Sequence, residues 1–429
     1  MATGYRVKTL MLTSGERLPV LLDREGQPMF NPTIFALTEV RGQNLSSNTI
    51  SIVLRSVMAF HLFLDSRHID IDARFANGEL LTLSEVEDLS RFCRLPLTAL
   101  VSETYAGENT SEKVMSLEQV RVRVKTQKHL PPQVDPNVAA SRLRYIRMYL
   151  QWLTNERLSR QGWEPAVAAR FADITRRVID AINARVPNKS GRNTLKLREG
   201  LSEEDMAELL RVIDPRSPDN PWQDEHTRYR NALLINWLLY LGLRIGEALG
   251  VQTTDLDSHN GEVTIHRRAD DINDPRRYQP QTKTRARVLE MNAALKAQTQ
   301  AYILHHRRQL PQAKKHSFLF VASHTGRPMT LAAVGKLFHE LRAKSPSLPK
   351  ILSAHVLRHT WNDMFSKKMD DMGVTPEDEQ QGRSYLMGWS PTSGTATVYT
   401  RRHVRNKAKQ VSLELQNQLV NWDRDDGEE

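Results

Sequence analysis

An arginine inside an apolar stretch is the first feature of this sequence that points to chemistry. Residues 241–249 read Leu-Gly-Leu-Arg-Ile-Gly-Glu-Ala-Leu, with Arg244 near the centre. A long apolar helix is predicted over about residues 229–249, so Arg244 is expected within it. A buried arginine without a partner is very costly. Arg244 must therefore meet either an internal carboxylate, for which Glu247 is a candidate, or an anionic ligand.

A second cluster combines histidine with arginine. Residues 353–360 read Ser-Ala-His-Val-Leu-Arg-His-Thr. His355 and Arg358 are three positions apart and therefore share one helix face. His355 and His359 have the spacing of a zinc pair, but the metalloprotease pattern needs Glu directly after the first histidine, and Val356 stands there. The sequence therefore predicts no metal site.

Lys283 precedes a strand that is predicted over residues 285–291. It is the only lysine between Lys196 and Lys296. A lone lysine at a hairpin is usually solvated, because its ammonium group is strongly hydrated. Lys283 therefore acquires a meaning only in combination with the other candidates.

A Gly-Trp pair that ends at Trp389 is followed ten positions later by Tyr399. Beyond His355 the sequence contains two tyrosines, Tyr385 and Tyr399. An isolated tyrosine is more often a core or interface residue than a nucleophile. As with Lys283, Tyr399 acquires a meaning only from its order among the other motifs.

Taken in order, Arg, Lys on a hairpin, His-x-x-Arg, Gly-Trp and Tyr resemble the catalytic domain of the tyrosine recombinase (phage-type integrase) family. The resemblance covers residues 200 to about 412, and residues 40–185 resemble the family's helical core-binding domain. Two departures stand out. The spacing from Trp389 to Tyr399 is about one residue longer than the family's, which an extra residue in 391–394 would absorb. Trp389 also replaces the commoner histidine, a variation that the family accepts.

The resemblance implies a role for each of these residues. Tyr399 would attack a DNA phosphorus and form a 3′ phosphotyrosyl bond, releasing a 5′ hydroxyl. Arg244 and Arg358 would hold the non-bridging oxygens, a task that suits the planar guanidinium group. Lys283 would protonate the leaving 5′ oxygen. His355 would act as general acid and base toward the tyrosine, whose ordinary pKa of about 10 keeps it protonated.

Three further residues are expected to support this set. Trp389 would donate its indole N–H to a phosphate oxygen, and Glu247 and His359 would lie behind the reacting groups. The covalent bond stores the energy of the cut linkage, so rejoining needs no ATP. The sequence also has no Gly-x-x-x-x-Gly-Lys-[Ser/Thr] loop. No cofactor and no metal are expected.

The elements that must position these residues predict a mainly α-helical protein. The catalytic domain is expected to be α+β, with a small β-sheet, and to follow a helical core-binding domain. A chain of 429 residues exceeds one ordinary core. One predicted helix begins at Ser84, with Ser84 and Glu87 as its capping box. The predicted segments are N-terminal strands over 1–35, the core-binding domain over 36–185, a linker over 186–200, the catalytic domain over 201–412, and a C-terminal helix with an acidic tail over 413–429.

The charge of the chain favours a nucleic acid as its partner. A net charge of +10 attracts polyanions, of which nucleic acid is the commonest in a cell. The single cysteine, Cys93, excludes an intramolecular disulfide and fits a reducing compartment. No stretch is expected to approach the roughly 20 apolar residues of a membrane span. We expect a cytoplasmic, nucleoid-associated protein that binds double-stranded DNA and no membrane.

Two basic segments are candidates for DNA contact. Arg121, Arg123 and Lys125 alternate with valines. As a strand they would form a cationic face against phosphates, or an edge strand kept soluble by charge. Lys196 lies in the predicted linker, which could cross a DNA backbone.

The C-terminal segment bears on assembly. Recombination requires several protomers, so a homo-oligomer, a tetramer, is expected on DNA. An apolar stripe near the C-terminus would dock on a neighbouring protomer or pack on its own domain, and both remain open. The stripe consists of Val411, Leu415, Leu419 and Trp422.

Site-specific recombination or integration is thus the predicted function, and three alternatives compete with it. A type IB topoisomerase shares the chemistry and would relax supercoils without exchanging strands. A DNA-binding regulator with a decayed catalytic domain would lack part of the set from Arg244 to Tyr399, which is complete here. A metal-dependent transposase would use acidic residues and lose activity with a chelator.

Overall fold

The structure, a computed structural model, describes residues 4–43, 45–106, 133–160, 162–188, 200–282, 284–390 and 411–416. The chain divides into two compact units, Met1–Leu195 and Lys196–Glu429. The division falls inside the segment 186–200 that the sequence indicates as a linker. Both units are mainly helical with small sheets, which confirms the predicted fold class.

The first unit combines a β-hairpin with a helical core. The hairpin pairs Arg6 with Leu22 and Met11 with Arg17 in antiparallel register. Its helices pack around one apolar cluster that includes Phe35, Phe60 and Tyr149. The elements are β1 (Arg6–Met11), β2 (Arg17–Leu22), α1 (Phe30–Phe35, continued by a π-helical turn, Ala36–Arg41), α2 (Ser47–Ser66), α3 (Ile71–Ala76), α4 (Leu83–Phe92), α5 (Leu97–Ala106), α6 (Pro136–Arg160) and α7 (Pro165–Ala184).

Helix α2 corrects one expectation from the sequence. By length and composition it could cross a membrane, although no such stretch was expected. In the structure 67% of its most apolar window is buried inside the protein. Its residues Ile50, Val53 and Phe60 are fully buried in the cluster of the first unit. Helix α2 is therefore a core helix of the first unit.

The capping box of α4 is also not the predicted one. The box is formed by Thr82 and Glu85, two residues before the predicted Ser84 and Glu87. Thr82 N–H donates to Glu85 Oε2 over 2.8 Å, and Glu85 N–H donates to Thr82 Oγ1 over 3.3 Å. Arg74 also donates to both oxygens of Glu85, at 2.7 Å each. This ion pair holds the Glu85 carboxylate from outside the helix.

The second unit holds a three-stranded antiparallel sheet among helices. The sheet has the order β3-β4-β5, and β4 and β5 pair Glu262 with Glu290 and Ile265 with Arg287. The strand predicted over residues 285–291 is present but shorter, as Arg287–Glu290. The elements are α8 (Glu203–Ile213), α9 (Glu225–Tyr240), α10 (Ile245–Gly250), β3 (Leu256–Asp257), β4 (Glu262–Ile265), β5 (Arg287–Glu290), α11 (Ala293–Ala301), α12 (Leu331–Lys344), α13 (Ala354–Asp371) and α14 (Pro376–Met387).

The long apolar helix predicted over about residues 229–249 is two helices. Helix α9 ends at Tyr240 and α10 begins at Ile245. Between them Gly242 has φ +59°, a left-handed conformation that ends an α-helix. Arg244 is therefore the residue that precedes a new helix, and not a residue within a continuous one.

Candidate active site

The break at Gly242 is fixed by close packing. A Cβ atom at this position would lie 2.7 Å from Trp361 Cδ2 and 2.8 Å from Met387 Cε. Glycine is thus required both for the backbone conformation and for the space. The carbonyl oxygen of Gly242 accepts a hydrogen bond of 2.6 Å from Arg358 Nη1. The same turn that places Arg244 therefore also holds Arg358.

Glu247 is the buried carboxylate that the sequence offered as a partner for Arg244. The backbone N–H of Arg244 donates to Glu247 Oε2 over 3.0 Å, and its Nη1 lies 3.5 Å from Oε1. The side chain of Glu247 is 0% exposed, whereas that of Arg244 is 35% exposed. Arg244 thus contacts an internal carboxylate and still reaches the surface. Its partner can therefore be Glu247, an anionic ligand, or both.

Glu247 also contacts two further cationic side chains and one hydroxyl group. Thr284 Oγ1 donates to Glu247 Oε1 over 2.6 Å, and Arg287 Nη2 donates to Oε2 over 2.9 Å. Arg358 Nη1 lies 3.9 Å from Oε2. One carboxylate therefore stands at the centre of three guanidinium groups.

The electrostatics of this cluster keep Glu247 charged. Burial alone would raise the pKa of the Glu247 carboxyl, because a charge is poorly solvated inside a protein. The charges of Arg287 and Arg358, with the hydrogen bonds from Thr284 and Arg287, outweigh burial and lower the pKa below its ordinary value. Glu247 is therefore an anion at neutral pH.

Arg358 is held between a carbonyl group and an aromatic ring. It lies on α13, which Ser353 caps by accepting from the backbone N–H of Val356. Its side chain is 2% exposed. Its Cζ atom lies 5.4 Å from the centre of the Trp389 ring, within the range of a cation–π interaction. The guanidinium group thus has a fixed position.

His355 and His359 contact each other on the same helix. Their Nε2 atoms are 3.1 Å apart and their ring centres 4.4 Å apart. Such a hydrogen bond requires an N–H on one ring and a lone pair on the other. His355 is exposed, whereas Arg358 is buried one turn away. Among the residues that the structure describes, no group of three or more His, Cys, Asp or Glu side chains could hold a metal ion.

The Gly-Trp pair forms a turn that locks onto the hairpin. Gly388 follows α14 in a left-handed conformation, φ +65°. A Cβ atom there would lie 2.8 Å from Arg287 Nη1 and 2.9 Å from both Arg285 O and Thr284 Cβ. The backbone N–H of Arg285 donates to Gly388 O over 2.9 Å. Trp389 therefore directly follows a residue that is hydrogen-bonded to the segment leading into β5.

Of the predicted site residues, the structure brings Arg244, Glu247, Arg358 and Trp389 into one cluster of contacts, with the His355–His359 pair on α13. Six others lie outside the described residues, so their roles stay predictions. Thr282 and Thr284, which flank Lys283 in the sequence, are both buried. The six are Lys283, Tyr399, Arg121, Arg123, Lys125 and Lys196.

Sequence reasoning missed Arg287 and Thr284. The signal for Arg287 is the alternation of β5, in which Arg287 and Leu289 are buried while Val288 and Glu290 are exposed. An arginine on the inward face of a strand requires a buried acceptor. This rule could have pointed to a partner such as Glu247.

Tyr385, the other tyrosine beyond His355, lies on α14 and is 64% exposed. It lines a cleft of about 530 Å³ together with Arg285, Gly388 and Trp389.

Part of the chain matches a known protein family. Residues 200–405 match the model of the phage integrase family. The tyrosine recombinase XerH of Campylobacter jejuni is 24% identical over 230 residues, which cover 54% of this chain and 55% of that protein. The chain thus spans about half the length of this curated relative.

Two solved structures are similar at lower identity. The integrase of transposon Tn1549 in complex with circular intermediate DNA is 17% identical, over 75% of this chain and 95% of that one, with a TM-score of 0.40. XerH recombinase bound to difH substrate is 18% identical, over 77% and 85%, with a TM-score of 0.37. The assignment depends on the family model and on the residues in order. The segment of residues 200–405 is a phage integrase domain.

Proposed function

We propose that this protein is a site-specific DNA recombinase or integrase, which cuts and rejoins strands through a covalent phosphotyrosine. The observation that carries the proposal is the arrangement of Arg244 and Arg358 around the buried carboxylate of Glu247. With Arg287, three guanidinium groups face one carboxylate, so these four side chains sum to +2. A phosphodiester gains negative charge as it is attacked, and preformed positive charge stabilises that state.

The two arginines suit complementary parts of this task. Arg358 is fixed by Gly242 and Trp389 before any substrate arrives, so little reorganisation is needed. Arg244 is partly exposed and can meet a phosphate at the surface. Guanidinium never loses its charge near neutral pH and donates in a planar fork, which matches two oxygens of one phosphate.

Tyr399 is the proposed nucleophile. Its oxygen forms the bond to phosphorus as the bond to the 5′ oxygen breaks, and Lys283 gives that oxygen a proton. His355 takes the phenolic proton and returns it when the strand is rejoined. His359 supports His355 through the Nε2–Nε2 hydrogen bond. Trp389 orients Arg358 and offers its indole N–H to the phosphate.

The remaining assignments follow from this chemistry. Residues 201–412 would form the catalytic domain and residues 36–185 the core-binding domain. Both domains would bind double-stranded DNA, and the linker 186–200 would join them. Four protomers would assemble on two duplexes. Neither ATP nor a metal ion is needed, because the phosphotyrosyl bond stores the energy of the cut linkage. The cell compartment would be the cytoplasm, at the nucleoid.

The test uses a nicked suicide duplex that carries the target site, selected first from random DNA by binding. Incubation in EDTA without ATP should give a covalent protein–DNA adduct on a denaturing gel. Intact sites should then recombine. A chain that relaxes plasmid but never exchanges sites would instead be a type IB topoisomerase. A chain that binds its site and forms no adduct would be a regulator.

A further inference from the structure

Arg287 joins three segments of the described site. It is the first residue of β5, and its side chain is 2% exposed. Its guanidinium group contacts three separate segments. Nη2 donates to Glu247 Oε2 over 2.9 Å, Nη1 to Thr284 Oγ1 over 3.2 Å, and Nε to Leu386 O over 2.6 Å.

Each of these segments carries one part of the proposed site. Glu247 holds Arg244 and lies beside Arg358. Thr284 directly follows Lys283 in the chain. Leu386 leads into the turn that ends at Trp389. We propose that Arg287 is a positioning residue, which holds the helix α10 carboxylate, the end of the hairpin and the Gly-Trp turn as one rigid frame for the scissile phosphate. This inference rests on the proposed function.

The glycine of the Gly-Trp pair supports this role. A Cβ atom at position 388 would lie 2.8 Å from Arg287 Nη1, so the absence of a side chain there makes room for the guanidinium group. Gly388 thus serves Arg287 as well as the backbone turn. An arginine that only neutralised Glu247 would need neither this space nor the hydrogen bond to Leu386 O.

Arg287 also sets the charge state of Glu247. Three cations face that carboxylate, namely Arg244 from the start of α10, Arg287 from β5 and Arg358 from α13. Burial opposes the ionised form, and Arg287 is the largest of the charges that lower the pKa of Glu247. Without Arg287 the pKa of Glu247 rises, and protonation of Glu247 as the pH falls would loosen Arg244 and remove the charge that faces Arg358. Cleavage would then acquire an acid limb in addition to the pH dependence that wild type shows.

The experiment measures single-turnover cleavage of the suicide duplex by the full chain, at saturating DNA and across pH. Arg287→Met should lower the rate constant by on the order of 10-fold or more, because a displaced frame misaligns the reacting groups. The loss should deepen as the pH falls, while DNA affinity stays within about 3-fold. Adding Glu247→Gln to Arg287→Met should abolish the added acid limb, since an amide does not titrate.

The matched control is Arg383→Met. Arg383 is also buried in the second unit and pairs with Glu379 and Ser366, which lie outside the Glu247 cluster. It should lower the melting temperature as Arg287→Met does and keep the wild-type rate and pH profile. Equal rates for the two variants, with unchanged pH profiles, would reduce Arg287 to a structural residue.

A second variant decides the case in which Arg287→Met fails to fold. Arg287→Lys keeps the charge but cannot donate to three separate acceptors in one plane. It should cleave more slowly than wild type without a new acid limb. A wild-type rate for Arg287→Lys would overturn the inference. Failure of the wild-type chain to form any adduct would instead refute the proposed function.

Discussion

Replacing Gly388 with alanine tests how the Gly-Trp turn is built. Two separate penalties apply at this position. The backbone has φ +65°, and a Cβ atom would lie within 2.9 Å of Arg287, Arg285 and Thr284. Real Cβ atoms essentially never come so close to other heavy atoms, so the hairpin must shift.

The two penalties can be estimated separately. A left-handed conformation costs a residue other than glycine about 1–2 kcal/mol. Forcing an extra methyl group into a packed site costs about 1–3 kcal/mol. Gly388→Ala should therefore lower the free energy of unfolding of the second unit by about 2–5 kcal/mol. It should also slow cleavage, because the strand that moves carries Arg287.

Two other glycines of the same unit separate these contributions. Gly373 has φ +63° with nothing within 4 Å of the added atom, so Gly373→Ala should cost only the conformational part, about 1–2 kcal/mol. Gly335 lies within α12 with nothing within 4 Å, so Gly335→Ala should stabilise by about 0.5–1 kcal/mol. The assay is urea unfolding followed by tryptophan fluorescence. A Gly388→Ala loss no larger than that of Gly373→Ala would refute the packing argument.

Three further predictions concern single side chains. Arg358→Lys should slow cleavage on the order of 100-fold in the suicide-substrate assay, because lysine cannot keep the bond to Gly242 O and hold two phosphate oxygens; an unchanged rate would contradict this. Thr82→Ala should lower the stability of the first unit by about 1 kcal/mol in urea, through loss of the α4 cap, and an unaltered midpoint would speak against the box. The hydrogen bond from Arg74 lowers the pKa of Glu85 to about 2 from 4.5. Because this pKa is lowered, ionised Glu85 stabilises the fold above its ordinary pKa, and the stabilisation is lost as the pH falls through the folded-state pKa. Wild type should therefore exceed Arg74→Met in thermal stability near neutral pH, and the difference should shrink from about pH 4.5 to about pH 2. A difference as large at pH 2 as near neutral pH would exclude this cause.

The fold class could be predicted because it depends on local periodicity. Apolar residues at helical spacing indicated the helices. The break at Gly242 was missed, because its cause is contact with Trp361 and Met387, which lie more than a hundred positions away. Local spacing holds no information on such contacts.

The candidate site could likewise be predicted where short motifs determine it, and was missed where distant contacts do. The order of Arg244, His355, Arg358 and Trp389 indicated the family, and the cost of a buried arginine without a partner made Glu247 a candidate partner of Arg244. The contacts of Arg287 with Glu247 and Leu386 span 40 and 99 positions, and no short motif contains them. The capping box of α4 was also predicted wrongly, and Glu85 of the observed box contacts Arg74, which lies eleven positions away.

The central claim is that one phenolic oxygen becomes bonded to DNA. The adduct from the suicide duplex can be digested with nuclease and trypsin and then fragmented in a mass spectrometer. Trypsin should release residues 384–401 as one peptide, which contains both Tyr385 and Tyr399. The account predicts fragment ions that place the nucleotide on Tyr399, and no adduct from Tyr399→Phe. A nucleotide on Tyr385, or an adduct that survives Tyr399→Phe, would contradict it.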